Sequence, residues 1–412
     1  METASLATQT RSPGVATALA QAPEHDELVA RAAALRDQLA QDAPEADRTR
    51  RLTDRSIDGI KDAGLTRLMT PRCLGGYESD VRTVLDVVTE LGRGCGSSAW
   101  VTAVLNSGNF MAGLFPDRAR EDVWGDDPAA STALVLVGTT ASAEPADGGL
   151  MVTGKWGYAS GSLHCEWVAL LVPVDRGQER PEINLVLVPM RDLRVEDTWF
   201  IVGMRGTGSN TVVADKVFVP QYRVMPFMAA VNGERLAPHA DEPLYRSSVS
   251  GVLQVFLLGS LIGGAQTALS YVLGKAPKRA IASSTYTSQA QSAAFQIDVA
   301  EASGMTDTAY LHARRIAETV DRSARLGEPL DIPTRARMRM DAAQAARTCR
   351  EAVDLLMTAH GTSAFAEASP LQLIWRNVSV GSRHAGFGSR IPQEVYGRAL
   401  LDLDPRQVSY LL

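Results

Sequence analysis

Tyr158 and Ser160 stand two positions apart in the run Gly154-Lys155-Trp156-Gly157-Tyr158-Ala159-Ser160-Gly161-Ser162. In an extended chain that spacing directs both side chains to one side. An aromatic ring there can lie against a flat cofactor while the hydroxyl donates to a ring nitrogen. The same residues also suit a plain hairpin with glycine turns. A second run, Arg205-Gly206-Thr207-Gly208-Ser209-Asn210, offers closely spaced backbone N–H groups and two hydroxyls. These suit an anionic or carbonyl-rich ligand edge, or else a glycine-rich connection between strands. The run is no dinucleotide fingerprint, because no helix of a βαβ unit follows it, and it lacks the Gly-Lys-Ser/Thr of a P-loop. His384 is the third candidate. It lies eight residues after Arg376, two turns further along an expected helix. A neutral imidazole there can manage a proton near pH 7; the alternative is a satisfied structural histidine. Together the three segments suggest a planar redox cofactor held between a β unit and a helical unit. None of the six histidines has metal-ligand spacing, and no Gly-x-Ser-x-Gly elbow supports covalent hydrolysis.

These residues need elements to position them. Residues 1–23 are rich in Ala, Thr, Ser, Gln and Pro and are expected to form a disordered tail. From 24 to 130 the apolar residues repeat at three to four positions, as in Leu28, Ala32, Leu35 and Leu39, so this part is expected to be helical. Ser97 or Ser98 can cap the helix that carries Trp100. From 131 to 238 short β-type runs are separated by turn residues such as Asp147-Gly148-Gly149. That spacing predicts a small antiparallel barrel or sandwich, with Trp156 and Trp167 in its packing. Strands and helices do not alternate, so a doubly wound sheet is not expected. From 239 to 412 four long amphipathic runs predict a four-helix bundle. The fold class is α+β, in the order α, β, α.

A chain of 412 residues needs two or three packed units. The net charge of −6 favours neither nucleic acid nor an anionic membrane surface as partner. Cys73, Cys95, Cys165 and Cys349 show no Cys-x-x-Cys spacing. That argues against zinc or a disulfide framework and fits a reducing, cytoplasmic setting. No membrane-spanning run or signal peptide is read.

These motifs, with Gly75-Gly76, Ser98-Ala99-Trp100-Val101, Phe115-Pro116 and Pro370-Leu371-Gln372, resemble the acyl-CoA dehydrogenase superfamily. More closely, they resemble its oxygenase branch, the two-component flavin-dependent monooxygenases. The resemblance implies a helical domain, a β-barrel domain and a four-helix bundle, assembled as a homotetramer. It implies reduced flavin (FMNH2 or FADH2) and O2 as cofactors, with a separate NAD(P)H-dependent flavin reductase as partner. The chemistry implied is hydroxylation of an aromatic or polycyclic, polyketide-like molecule of secondary metabolism through a C4a-hydroperoxyflavin. By the same resemblance Ser160 falls beside flavin N5, and Tyr158 at the aromatic position next to the isoalloxazine. Thr207, Gly208 and Ser209 match a second flavin-contacting loop. His384 matches a histidine near the reactive flavin carbon, and Arg279 a basic residue meeting flavin phosphate from a neighbouring subunit. Trp100, Asn106 and Asn109 are expected to line the substrate site. Phenol hydroxylases of the branch often carry a histidine at the position that Gly108 occupies here. The usual Arg-Asp pair is Arg376-Asn377, which removes one carboxylate. The alternatives are N-oxygenation of an amino sugar or other amine, an FAD-dependent acyl-CoA dehydrogenase, and a non-catalytic scaffold.

Overall fold

The computed structural model describes residues 22–412, except 138, 139, 176, 178, 180, 235–241 and 410. The expected tail, apart from residues 22 and 23, lies outside the described residues. Six helices come first: α1 (His25–Ala34), α2 (Arg36–Thr49), α3 (Asp54–Asp62), α4 (Val81–Gly94), α5 (Gly96–Gly113) and α6 (Asp117–Trp124). The Thr53 side chain accepts from Ser56 N to cap α3, and Asp80 accepts from Thr83 N to cap α4. Helix α5 is buried along its whole length from Ser97 to Gly113, so it is a core helix with no solvent face. Ser97 and Ser98, expected as caps, lie inside its first turn, and Cys95 takes the cap position.

Eight strands follow: β1 (Thr132–Val135), β2 (Ser142–Ala146), β3 (Gly149–Ala159), β4 (Trp167–Val174), β5 (Glu182–Pro189), β6 (Arg194–Glu196), β7 (Asn210–Pro220) and β8 (Val224–Pro226). They form one sheet in the order β6-β7-β3-β2-β4-β5-β8, with β1 also on β4. The sheet is mixed and open, not the expected antiparallel barrel. Strands β1 and β2 lie along one edge of β4 and run parallel to it, while the other pairs are antiparallel. The end strands β6 and β8 have three residues each, too short to pair across and close the sheet.

The chain then returns to helices: α7 (Phe227–Asn232), α8 (Val249–Lys275), α9 (Ala293–Leu326), α10 (Ile332–His360), α11 (Pro370–Gly381) and α12 (Ile391–Leu400). Three long helices, α8, α9 and α10, pack on one another, and the short α11 leans on α8 and α10. Helix α8 is long and apolar enough to cross a membrane, but most of that apolar length is buried inside the protein. It is apolar all round because it has neighbours all round. It also crosses α4 closely. A Cβ at Gly263 would stand 2.2 Å from the Thr89 carbonyl oxygen, and one at Gly259 would stand 2.9 Å from Thr89 N.

A second joint couples the N-terminal helices to α9. The buried Asp321 carboxylate accepts from Val81 N at 2.8 Å and from Arg82 N at 3.0 Å, at the N-terminus of α4. Burial first, and then the neighbouring Asp80 charge, push its pKa up to about 6. The folded state therefore holds a proton that the unfolded state releases, and this contribution to stability falls as pH rises. The stability of wild type relative to Asp321→Asn should fall between pH values of about 4 and about 6 and then level, in urea melts run at several pH values. A difference that is flat across that window would refute this assignment.

Candidate active site

The two hydroxyl-bearing segments meet where β3 ends and β7 begins. Ser160 opens the turn after β3, and Ser209 directly precedes β7. Ser160 Oγ and Ser209 Oγ are 2.5 Å apart, Thr207 Oγ1 and Ser209 Oγ are 2.7 Å apart, and Thr207 Oγ1 donates to the Met204 carbonyl at 2.8 Å. All three hydroxyls are buried. Gly208 has φ +56°, and a Cβ there would meet Leu163 at 2.8 Å, so the turn needs glycine.

Tyr158 does not share the burial of Ser160. The β3–β7 register shifts between Trp156 and Ala159, and Tyr158 takes φ 58°. That bulge breaks the alternation on which the same-side expectation rested. Tyr158 is 71% exposed, edge-on to Trp199 at 5.7 Å, and Phe200 and Val202 on the adjoining segment are 72% and 70% exposed. Large apolar side chains left this open form a ledge for a flat apolar partner. Trp156 instead sits in the core, its indole N–H donating to the Leu171 carbonyl.

Helix α11 brings the third group. It ends at Gly381, so His384 lies on the following turn, not on the helix as expected; its N–H donates to the Gly381 carbonyl at 3.0 Å. The imidazole meets Trp100 of α5 edge-on at 5.5 Å between centroids, and Phe387 at 5.8 Å. Gly386 N–H donates to His384 Nδ1 at 3.2 Å, which places the hydrogen of the neutral ring on Nε2. His384 is exposed as a residue, while Trp100 and Phe387 pack around its ring. Desolvation there pushes its pKa down to about 4. His384 is thus a neutral hydrogen-bond donor at pH 7, not a group that changes charge there.

The same helix is locked to the sheet. Arg376 pairs with Asp47 of α2 through both nitrogens, at 2.9 and 3.1 Å, so α2 supplies a carboxylate to the arginine. Asn377 Oδ1 accepts from Met204 N at 2.6 Å, and a Cβ at Gly203 would stand 2.1 Å from the Arg376 carbonyl oxygen. A cavity of about 720 Å³ lies between α2, α8 and α11, beyond this lock. It is lined by Met204, Arg205 and Asn377 but by none of Ser160, Thr207, Ser209, Trp100 or His384.

Comparison with known proteins fits this arrangement. The family models "Acyl-CoA dehydrogenase, N-terminal domain" and "Acyl-CoA dehydrogenase, C-terminal domain" match residues 22–114 and 258–389. The flavin-dependent monooxygenase oxygenase subunit HsaA of Rhodococcus jostii (strain RHA1) is 32% identical over 88% of this chain and 95% of its own. The chain belongs to the acyl-CoA dehydrogenase family, in its flavin-dependent monooxygenase branch. The structure of XiaF from Streptomyces sp., in complex with FADH2 and glycerol, superposes with a TM-score of 0.88 at 36% identity, over 92% of this chain and 96% of XiaF. The oxygenase component of an FADH2-dependent resorcinol hydroxylase from Rhizobium sp. (strain MTP-10005) is 29% identical over 94% of this chain and 97% of its own.

Within this oxygenase branch, the asparagines expected at the substrate are committed elsewhere. Asn106 Nδ2 donates to the Leu65 and Thr102 carbonyls, and its Oδ1 accepts from Met69 N. Asn109 Nδ2 donates to the Thr66 carbonyl and Thr70 Oγ1, and its Oδ1 accepts from Thr132 N. Both are fully buried clamps between α5, the 65–70 segment and β1. The helical period turns them away from the face of Trp100. Gly108 admits no side chain, because a Cβ would stand 1.9 Å from the Thr132 carbonyl oxygen.

Arg279 lies just beyond α8, donating to the His360 carbonyl at 3.0 Å and to Ser363 Oγ at 2.9 Å. Two residues that sequence reasoning missed stand with it. Gln289 Nε2 donates to the Ala359 carbonyl, and His360 has its pKa lowered by burial and then by the charges of Arg279 and Lys275. Arg279 Nε, Gln289 Oε1 and His360 Nδ1 are all buried without a partner among the described residues. Their positions lack a recognisable motif, so only the fold brings them together.

Two outcomes are expected. The His384 ring proton signals should titrate with a midpoint near about 4 by NMR; a midpoint near the ordinary value of 6.5 overturns the neutral assignment. Gly108→Ala should lower stability by about 1–3 kcal/mol in denaturant melts, as overpacking does; an unchanged midpoint contradicts the close approach of α5 to β1.

Proposed function

We propose that this protein is the oxygenase component of a two-component system that hydroxylates an aromatic small molecule with reduced flavin and O2. One observation carries the reading: a buried chain of hydroxyls, Ser160, Ser209 and Thr207, beside the exposed Tyr158, with a neutral His384 edge-on to Trp100 on the helical side. A flat ring with a polar edge fits that combination, and FADH2 in the XiaF structure supports the flavin. Reduced flavin, when bound, supplies the electrons that activate O2. Ser160 holds a ring nitrogen through Oγ, and Ser209 and Thr207 hold Ser160 in place. Tyr158 covers the ring, with Thr207, Gly208 and Ser209 along its edge. His384 donates a hydrogen bond through Nε2–H on the helical side. The apolar walls of Trp100 and Phe387 exclude water.

A separate NAD(P)H-dependent flavin reductase delivers FMNH2 or FADH2 in this proposal. The protein works as a homotetramer, in which the Arg279 guanidinium meets the flavin phosphate of a neighbouring copy. A bulky polycyclic substrate, polyketide-like and of secondary metabolism, is the finer reading.

The test is to mix the protein anaerobically with FMNH2 or FADH2, admit O2 with a phenolic substrate such as resorcinol, and measure hydroxylated product against H2O2. Wild type should yield product. Ser160→Ala should raise the H2O2 share several-fold, and His384→Ala should lose product while still binding flavin. Product yield equal to wild type in both variants would remove these residues from the reaction. Flavin reoxidation no different from free flavin, with no product, would sink the oxygenase reading.

A further inference from the structure

Helices α5 and α8 run side by side in opposite directions. Phe110, near the end of α5, stacks on Tyr245, just before α8 begins, at 6.2 Å between centroids. At the other end, a Cβ at Gly381 would touch Trp100 of α5 at 3.2 Å and Leu261 of α8 at 2.8 Å. Most apolar residues of both helices are fully sealed. The exceptions follow helical spacing. On α5, Trp100, Val104 and Ser107 keep 6%, 8% and 6% of their surface, while on α8 Gln254 and Leu257 keep 7% each and Leu253 is half-buried; beyond Leu261, α8 opens further at Leu269, Tyr271 and Leu273. Gln254, Leu257 and Leu261 are three and four residues apart, so they share one face of α8, the face that meets Trp100 and the His384 turn. The residual surface marks a narrow apolar slot between the two helices, closed at one end by Trp100 and His384.

Gln254 is the anomaly in that slot. It is more than nine-tenths buried, and its Oε1 has no hydrogen-bond partner among the described residues. A buried acceptor without a donor costs the full desolvation of that group. Such a group calls for an explanation, and a ligand that completes it is one. Resting on the oxygenase reading above, we propose that Gln254 selects the substrate, its Oε1 accepting a hydrogen bond from an aromatic N–H or O–H donor that lies in the α5–α8 slot. The substrate class is therefore a flat aromatic with a donor on the ring edge remote from the reacting end. Leu257, Val104 and Trp100 clamp its faces. Because Asn106 and Asn109 spend both amide hydrogens and already accept through Oδ1 inside the scaffold, Gln254 provides the polar recognition that those two do not.

The experiment compares paired probes: indole against N-methylindole, and phenol against anisole, bound to the protein loaded anaerobically with reduced flavin. Wild type should bind the donor-bearing member of each pair about tenfold more tightly, as expected when one buried hydrogen bond is completed or left open. In Gln254→Leu the ratio should collapse to within about twofold, and in Gln254→Glu, which keeps an acceptor, it should persist. A merely structural role would weaken both members of a pair alike and leave the ratio unchanged. Gln254→Met replaces the leucine variant if that one does not fold. Equal affinity of wild type for both members, or a ratio that survives in the leucine or methionine variant, overturns the assignment. Binding needs no O2, so selective binding without hydroxylation would instead sink the oxygenase reading and leave the slot in place.

Discussion

Backbone contact between α4 and α8 sets the geometry on which the remaining parts depend. Gly92, Gly259 and Gly263 let the two helices approach until backbone meets backbone; any Cβ at Gly263 would collide with the Thr89 carbonyl. That approach fixes the distance between the N-terminal helices and the long C-terminal helices. Helix α5 follows α4 after one residue, so its position against α8 is fixed with it. The slot, Trp100 and the His384 turn all take their spacing from this crossing. A fully buried helix pair cannot relax outward without exposing its apolar surface to water.

The sheet is tied to the same frame by polar contacts. Asn377 receives Met204 N–H, Arg376 pairs with Asp47, and Asn109 receives Thr132 N–H. Each joins a different layer: α11 to the loop before β7, α11 to α2, and α5 to β1. Asp321 adds a carboxylate from α9 at the head of α4. The hydroxyl cluster thus stands on the sheet, and the imidazole stands on the helices. Loss of the usual aspartate at position 377 costs the lock little, since an amide oxygen accepts a backbone N–H as well as a carboxylate does, and Asp47 provides the charge for Arg376.

Much of this was legible in the residues. The α, β, α order followed from a hydrophobic period that changes near residue 131 and changes back near residue 239; of the four long C-terminal runs three became the long helices α8, α9 and α10, while the fourth gave only the short α11. The hydroxyl segments and His384 were picked out by type and spacing, and the family resemblance held. Other points were illegible for definite reasons. The bulge at Tyr158 comes from an uneven register with β7, which no local pattern carries. The direction of β1 and β2 against β4 depends on which edge the chain reaches after α6. Asn106 and Asn109 looked available because a sequence does not say which carbonyls surround a side chain.

By itself the sequence determined which segments are helix and strand, where the hydroxyls, aromatics and histidine stand along the chain, and the family to which they belong. Periodicity and motif are local properties, and local properties survive in one dimension. Tertiary structure alone decided that Ser160 touches Ser209, that His384 is neutral beside Trp100, that two asparagines serve the scaffold, and that Gln254 has an oxygen without a partner among the described residues. Each of these depends on what approaches a group from a distant part of the chain. Burial and hydrogen-bond supply, which fix pKa and availability, exist only once those distant parts have packed.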